Sequence, residues 1–224
     1  MSDERSFVDW DWRGVTQRAA ASSHGAAGHP RGFFEAKRGI DVVVSVLLLP
    51  VVAASALLLL LLNPLFNPGP LFFRQPRMGL HCQPFEAIKF RSMLPAGAGE
   101  RGADDPLEVD RITPLGEFIR RMRLDELPQV LNVLKGDMSL IGPRPDFLDH
   151  AEVYLETVPG YRKRHMVRPG ISGLAQTEVG YVQGIFGTRR KVSADLYYIF
   201  NAGWRLEAFI FWRTLVIVFT GRGS

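Results

Sequence analysis

The sequence predicts an α/β fold, mostly helical with a small sheet, held at a membrane by an apolar element and by interfacial amphipathic helices. Three observations carry this reading. Residues 40–62 are almost wholly apolar and long enough to cross a bilayer as a helix. Downstream, apolar residues recur at helical spacing in several short segments broken by Gly and Pro, while 71–73 and 85–90 read as short strands. Hydrophobic residues make up 46% of the 224, yet 22% are charged, which suits a water-soluble domain joined to an apolar anchor.

The first region, 1–33, mixes Ser, Ala, Gly, His and charges without periodicity and reads as a mobile arm. Trp10 and Trp12 within it are weak candidates for interface anchors. The second, 34–66, holds the apolar run. A cleavable signal peptide fits poorly, because the run starts far from Met1 and no small-residue cleavage site follows. Pro50 interrupts the run and would kink a helix. Lys37 and Arg38 precede it, and Arg74, Arg77, Lys89 and Arg91 follow, so both flanks look cytoplasmic. That favours a hairpin entering and leaving by one face; a kinked spanning helix is the alternative. Asp41, at the start of the run, needs a partner, and Arg38 is three residues back on the same face.

The third region, 67–224, begins at a turn-rich exit over 63–70. Residues 97–102 form a formal G-x-G-x-x-G, but Asp104, Asp105 and Pro106 follow where a dinucleotide site needs a helix, so that reading is rejected. Residues 114–124 form an amphipathic helix with Leu115, Phe118, Ile119 and Met122 on one face. It suits either an anionic lipid surface or the core. A helix follows over 147–158. The basic run 161–165 reads as a solvated face. Residues 193–200 look helical, and 204–219 read as an interfacial helix with Trp204 and Trp212 at headgroup level.

Net charge is +4 and the pI about 9.5, so anionic partners fit: phospholipid, nucleotide or nucleic acid. No nucleic-acid motif is present, and the basic residues sit among membrane-like segments. The single Cys82 excludes an internal disulfide, and the scattered histidines argue against zinc.

The densest segment is 123–145, R-L-D-E-L-P-Q-V-L-N-V-L-K-G-D-M-S-L-I-G-P-R-P. Leu127, Val130, Leu131 and Leu134 share a helical face, Pro128 suits only a first turn, and Gly136 is a natural stop. Asp125 then falls near the N-cap, where the helix end keeps a carboxylate ionised and attracts phosphate. Such an Asp is most often a cap and nothing more. Asp125 and Glu126 point roughly 100° apart on a helix, so they cannot mirror each other as a glycosidase pair does. Arg144 is framed by Pro143 and Pro145, and Arg168 precedes Pro169-Gly170; stiffly placed Arg suits bidentate phosphate contact. Lys89 and Arg91 alternate with Phe90, so both point to one face of a strand. Each alone would more often be a surface charge.

Taken with K-R-G-I-D (37–41), G-P-L-F-F-R-Q-P-R-M-G (69–79), K-F-R-S-M (89–93), D-R-I-T-P-L-G (110–116), R-P-G-I-S-G-L-A-Q (168–176) and D-L-Y-Y-I (195–199), this segment closely resembles the signature of the monotopic phosphoglycosyl transferases, the PglC-like bacterial sugar transferases. The resemblance runs from about Phe34 to Phe219. It departs at 53–55, Ala-Ala-Ser, where the family often has Ser-Pro; here the proline is Pro50.

The resemblance implies a re-entrant helix-break-helix anchor and a catalytic domain on the cytoplasmic face of the bacterial inner membrane, in a minimal form without further N-terminal membrane helices. It implies transfer of a sugar-1-phosphate from a UDP-sugar to polyprenyl (undecaprenyl) phosphate with release of UMP, the first membrane step of exopolysaccharide or glycoconjugate synthesis. Asp125 is then the nucleophile, forming an aspartyl phospho-sugar. Glu126 binds metal or assists proton transfer, and Mg²⁺ is the expected metal, held by Asp125 and Glu126. Lys89, Arg91, Arg144, Arg168 and Gln176 become candidates for nucleotide or phosphate binding, and Asp195 for organising the site or its metal. A homo-oligomer is possible. The donor sugar stays open. A non-catalytic membrane-bound adaptor is the competing reading, and it has no need of Asp125.

Overall fold

A computed structural model describes residues 32–94, 109–180 and 184–220. Almost all of the N-terminal arm, with Trp10 and Trp12, and the 96–106 loop lie outside them.

Helix α1 (Phe33–Phe66) is helical throughout, Pro50 and Pro64 included. Then come β1 (Phe72–Met78) and β2 (Pro84–Phe90), an antiparallel hairpin pairing Phe72 with Phe90, joined through a 3₁₀ turn at Leu80–Cys82. Helix α2 (Pro114–Arg121) starts as its sequence dictates, with Pro114 in the first turn and the Thr113 hydroxyl accepting from Gly116 N–H at 3.0 Å. It stops short of the expected 124. Arg123 takes a left-handed conformation, φ 57°, which no residue type advertises except Gly or Asn, and a 3₁₀ turn, Leu124–Glu126, follows. Helix α3 (Gln129–Lys135) ends at Gly136, whose φ of 102° makes it the left-handed stop its sequence promises.

Strand β3 (Ser139–Ile141) pairs in parallel with β4 (Gly170–Ser172), so the small sheet is two separate ribbons. The approach is close: a Cβ on Gly170 would stand 2.1 Å from Gly142 N, so only Gly fits. Between these strands lie α4 (Leu148–Thr157) and a 3₁₀ segment, Tyr161–Met166. Helices α5 (Leu174–Glu178), α6 (Gly184–Asn201) and α7 (Trp204–Thr220) complete the described residues.

Two apolar clusters organise these elements. One gathers Tyr161, Val192, Leu196, Tyr198, Ile199 and Ile210 around Met78, Ile141 and Phe33. The other packs Phe90, Ile119 and Val130 against Val52 and Leu59 of α1. The buried residues of α1, among them Lys37, Asp41, Ser45, Val52, Leu59 and Asn63, recur every four or seven positions, a single stripe. Its other faces expose Val43, Leu47, Leu57, Leu61 and Leu65. Only 17% of its most apolar window is buried, unlike the core helix of a soluble protein. Helix α7 exposes Trp204, Phe211, Trp212 and Phe219, as an interfacial helix would.

At the root of α1 the charges pair differently from expectation. Lys37, not Arg38, meets Asp41, at 3.6 Å, and Lys37 also reaches Glu207 at 2.7 Å. Asp41 accepts from the Ser139 hydroxyl at 2.7 Å and from Leu140 N–H at 3.3 Å, and Tyr198 donates to Glu207 at 2.5 Å. Arg38 turns instead to the carbonyls of Leu134 and Met138, at the end of α3, where helical carbonyls lack partners. The basic run 161–165 is also not a solvated face: Tyr161, Arg164 and His165 are buried.

Candidate active site

The left-handed Arg123 turns the chain so that Asp125 and Glu126 enter the protein rather than capping α3. Pro128 stands between them and the first turn of α3, and neither side chain caps it. Both carboxylates are buried, Asp125 at 8% and Glu126 at 5% exposure. Glu126 is surrounded by cations. Lys89 reaches Oε1 at 3.1 Å, Arg123 lies 3.4 Å from Oε2, and Arg144 engages both oxygens, its Nη1 standing 3.2 Å from Oε2. Burial alone would raise the Glu126 pKa, but Arg144 and Lys89 outweigh it and hold the carboxyl well below the usual range.

Asp125 is the opposite case. Its Oδ1 is buried and makes no hydrogen bond. Burial, reinforced by the Glu126 charge, pushes its pKa up to about 6 against the pull of Lys89, Arg120 and Arg144. The expectation that a helix end holds Asp125 firmly ionised is therefore corrected. Burial also lowers the Lys89 pKa, with Glu126 opposing. The two groups are coupled: Glu126 ionises first, and Asp125 releases its proton at about pH 6.

Arg144 is fixed from behind. The carbonyls of Pro143, Arg144 and Pro145 accept, in turn, from Gly170 N–H at 3.0 Å, Arg164 at 2.7 Å and Arg77 at 2.7 Å. Arg164 is itself ion-paired with Asp146 and, at 2.7 Å, with Asp195. Asp146 further accepts from Tyr161 and from Lys191, each at 2.9 Å. Asp195 thus sits in the layer supporting Arg144, not beside the carboxylate pair. Burial raises its pKa to about 6 even against Arg164.

Like Asp195, three further sequence-predicted residues are not brought to the pair. Arg91 lies just past the end of β2. It is buried and spends its guanidinium on the carbonyls of Asn67, Pro70 and Met93 and on the Asn67 side chain, tying the exit of α1 to the domain. So Lys89 and Arg91 have different partners, Glu126 for the one and the exit of α1 for the other. Arg168 is exposed, with Nε donating to Gly136 O at 2.9 Å, at the far end of α3. Gln176 donates to Ile171 O at 3.3 Å and leaves Oε1 buried without a partner. Conversely, Arg123, Arg77 and Arg164 were missed. Arg123 had its adjacency to the carboxylates as a signal; Arg164 had none.

Among the described residues no group of three or more His, Cys, Asp or Glu side chains is placed to hold a metal alone. The donors at the pair are carboxylate oxygens, which suit Mg²⁺ when substrate phosphates complete its shell. Both Glu126 oxygens are engaged by cations, while Asp125 Oδ1 is unbonded.

The sequence profile described as bacterial sugar transferase matches residues 33–221, nearly all of what lies between the N-terminal arm and the C-terminus. The chain belongs to the bacterial sugar transferase family. Among curated members, it is 42% identical over 189 residues to the UDP-N-acetylgalactosamine-undecaprenyl-phosphate N-acetylgalactosaminephosphotransferase of Aeromonas hydrophila, covering 84% of this chain and 44% of that one. It is 40% identical over 184 residues to the UDP-glucose:undecaprenyl-phosphate glucose-1-phosphate transferase of Caulobacter vibrioides, covering 81% and 66%. A match of 37% over 203 residues to the exopolysaccharide production protein PSS of Rhizobium leguminosarum covers 84% of this chain and 97% of that relative. The chain thus spans under half of the first relative, 66% of the second and almost the whole of the third.

Proposed function

We propose that this chain transfers a sugar-1-phosphate from a UDP-sugar to undecaprenyl phosphate, releasing UMP, through a covalent intermediate on Asp125. The observation that carries the reading is the asymmetric pair. Glu126 is fixed by Lys89, Arg123 and Arg144, while Asp125 keeps a buried oxygen that nothing holds. A nucleophile must be ionised and unencumbered, and a pKa of about 6 allows this at neutral pH while leaving the oxygen basic. The names of the relatives from Aeromonas hydrophila and Caulobacter vibrioides supply the substrate classes.

The steps balance. An Asp125 oxygen attacks the sugar-bearing phosphorus; the bond from that phosphorus to the bridging oxygen breaks, and UMP leaves with that oxygen. A phosphate oxygen of the lipid then attacks the same phosphorus, the bond to Asp125 breaks, and the carboxylate is regenerated as the lipid diphosphate sugar forms. Two carboxylates face three contacting cations, so the site holds surplus positive charge to receive a diphosphate. Arg144 is the cation whose planar fork and anchored backbone fit phosphate contact. Mg²⁺, held by Asp125 with Glu126 next to it, would neutralise diphosphate charge when bound.

The anchor is proposed to be re-entrant, with the domain on the cytoplasmic face. The support is that both ends of α1 are held by the same domain. Lys37 and Asp41 meet Glu207 and Ser139 near one end, and Asn67 donates to Arg91 O at 2.9 Å just past the other. A spanning helix would carry one of these ends across the bilayer, away from the domain that here holds both.

The test is UMP release from a panel of UDP-sugars with undecaprenyl phosphate and Mg²⁺ in detergent, native chain against Asp125→Asn. Release by the native chain, reduced by roughly a thousandfold or more in the variant, is expected for loss of a covalent nucleophile. Release that survives the substitution sinks the covalent step. Absence of release with every donor, with or without added metal, favours the adaptor.

A further inference from the structure

We infer that Asn132 is a positioning residue for the carboxylate pair: its carboxamide fastens the outer edge of β2 and so holds Lys89 against Glu126; this rests on the reaction proposed above. Among the described residues β2 pairs with β1 alone, so no strand lies along its other edge. An open edge presents N–H and C=O groups that need partners. Asn132, on α3, supplies them from a side chain. Its Oδ1 accepts from Ile88 N–H at 3.0 Å and its Nδ2 donates to Glu86 O at 2.7 Å, as a residue of a further strand would. Pro76, opposite Glu86 on β1, has no N–H to offer that carbonyl. Nδ2 also donates to Asp137 Oδ2 at 3.2 Å. The amide is 1% exposed, and only one orientation of it satisfies these partners, since a carbonyl cannot donate.

The tie closes a ring. Glu126 leads through Leu127 and Pro128 into α3; within that helix Asn132 grips β2 at Glu86 and Ile88; the next residue of β2, Lys89, returns to Glu126 at 3.1 Å. Phe90 of β2 and Val130 of α3 share an apolar cluster, but apolar contact is non-directional and leaves a strand free to shift. Two hydrogen bonds of opposite polarity, spaced along the edge, fix the register. Register matters because Lys89 serves both carboxylates: its charge opposes the effect of burial on Glu126 and on Asp125. With Lys89 set back by about 1 Å, Glu126 is less firmly held and Asp125 is harder to ionise.

The test is a double-variant cycle read in kcat/KM for the UDP-sugar across the acid limb of the pH profile. It compares the native chain, Asn132→Leu, Lys89→Met and the two substitutions together, with thermal unfolding of each. The native chain is assayed first. If no donor yields UMP, the reaction itself is wrong and this inference falls with it. If the native chain is active, Asn132→Leu is expected to lose about tenfold or more, since a misplacement of about 1 Å can cost about a hundredfold, and its acid limb moves to higher pH. Added to Lys89→Met, the same substitution costs less than about twofold further, because the residue it positions is already gone. Leucine leaves Glu86 O and Ile88 N–H without their partner and lowers the unfolding temperature. Should that variant be unfolded under assay, Asn132→Ser, which lets water reach both backbone groups, takes its place in the cycle. Losses that multiply in the double variant, or an acid limb that stays in place, would make Asn132 a support of the fold alone and overturn the inference. Full activity in a folded Asn132 variant overturns it as well.

Discussion

Two buried charge clusters lie on either side of the 143–145 turn, built from the same residue types and differing in balance. Behind the turn, Asp146 and Asp195 face Arg164 and Lys191, two charges against two. In front of it, Asp125 and Glu126 face Lys89, Arg123 and Arg144, with Arg120 also near enough to act on Asp125. The rear cluster is closed at its centre, with Arg164 and Asp195 each 1% exposed at the side chain, while Lys191 at its edge is 21% exposed. The front cluster keeps partly open cations and one unbonded oxygen. Asp195 also lacks a well-angled hydrogen bond, yet its charge is met by Arg164 at 2.7 Å. Burial of carboxylates is therefore common to both; surplus positive charge with an unheld nucleophile is particular to one.

If that distinction is right, the largest effect on stability comes from the rear. Arg164→Met leaves two buried carboxylates with only Lys191 near them and removes the donor that fixes the Arg144 carbonyl. Breaking a buried pair on one side costs about 3–5 kcal/mol. Thermal or denaturant unfolding in detergent checks it. A variant that unfolds as the native chain does, while losing activity, would make the rear cluster part of the chemistry and erase the comparison.

The front cluster predicts a smaller effect, seen in pH. With the Asp125 pKa at about 6 and the ionised form required, kcat/KM for the donor falls as pH drops through 6. It should be about tenfold lower at pH 5 than at pH 7, since roughly a tenth of such a carboxyl is ionised at the lower value. The sign for stability is opposite to that of most carboxylates. The folded chain binds this proton more tightly than the unfolded chain, so this group's contribution declines as pH rises from 3.8 towards 6. Glu126→Gln sharpens the point: with the neighbouring charge gone, the acid limb of the Asp125 profile moves to lower pH. A limb that stays in place would mean that Glu126 does not set it.

These two clusters also show what the chain's sequence could and could not disclose. The apolar helix, the 85–90 strand and the Gly136 stop follow from periodicity and from residues with few conformational options, whereas β1 runs on to Met78 and its pairing with β2 was not legible. The resemblance implies Asp125, Glu126, Lys89 and Arg144, but equally Arg91, Arg168, Gln176 and Asp195, which do not stand at the pair; spacing alone favours a cap for Asp125. The cap failed because Pro128 separates Asp125 from α3, and α2 was read too long because a left-handed Arg gives no signal. Arg164 was misread for a deeper reason. Its partners, Asp146 and Asp195, lie on distant segments, and a charge run carries no record of what folds against it.

Arg168 gives the smallest effect and tests the boundary of the front cluster. It was expected to bind phosphate, yet it sits exposed at the opposite end of α3 from the carboxylates, its Nε on Gly136 O. A cation at a helix C-terminus contributes about 0.3–1 kcal/mol, and that is all the geometry assigns to it. Arg168→Gln should therefore lower the unfolding free energy by no more than about 1 kcal/mol and change kcat/KM for the UDP-sugar by less than about threefold. A loss of a hundredfold at full stability would place Arg168 on a phosphate. It would then require the 168–172 segment to swing towards Asp125 when substrate binds, and the front cluster would be larger than its resting geometry shows.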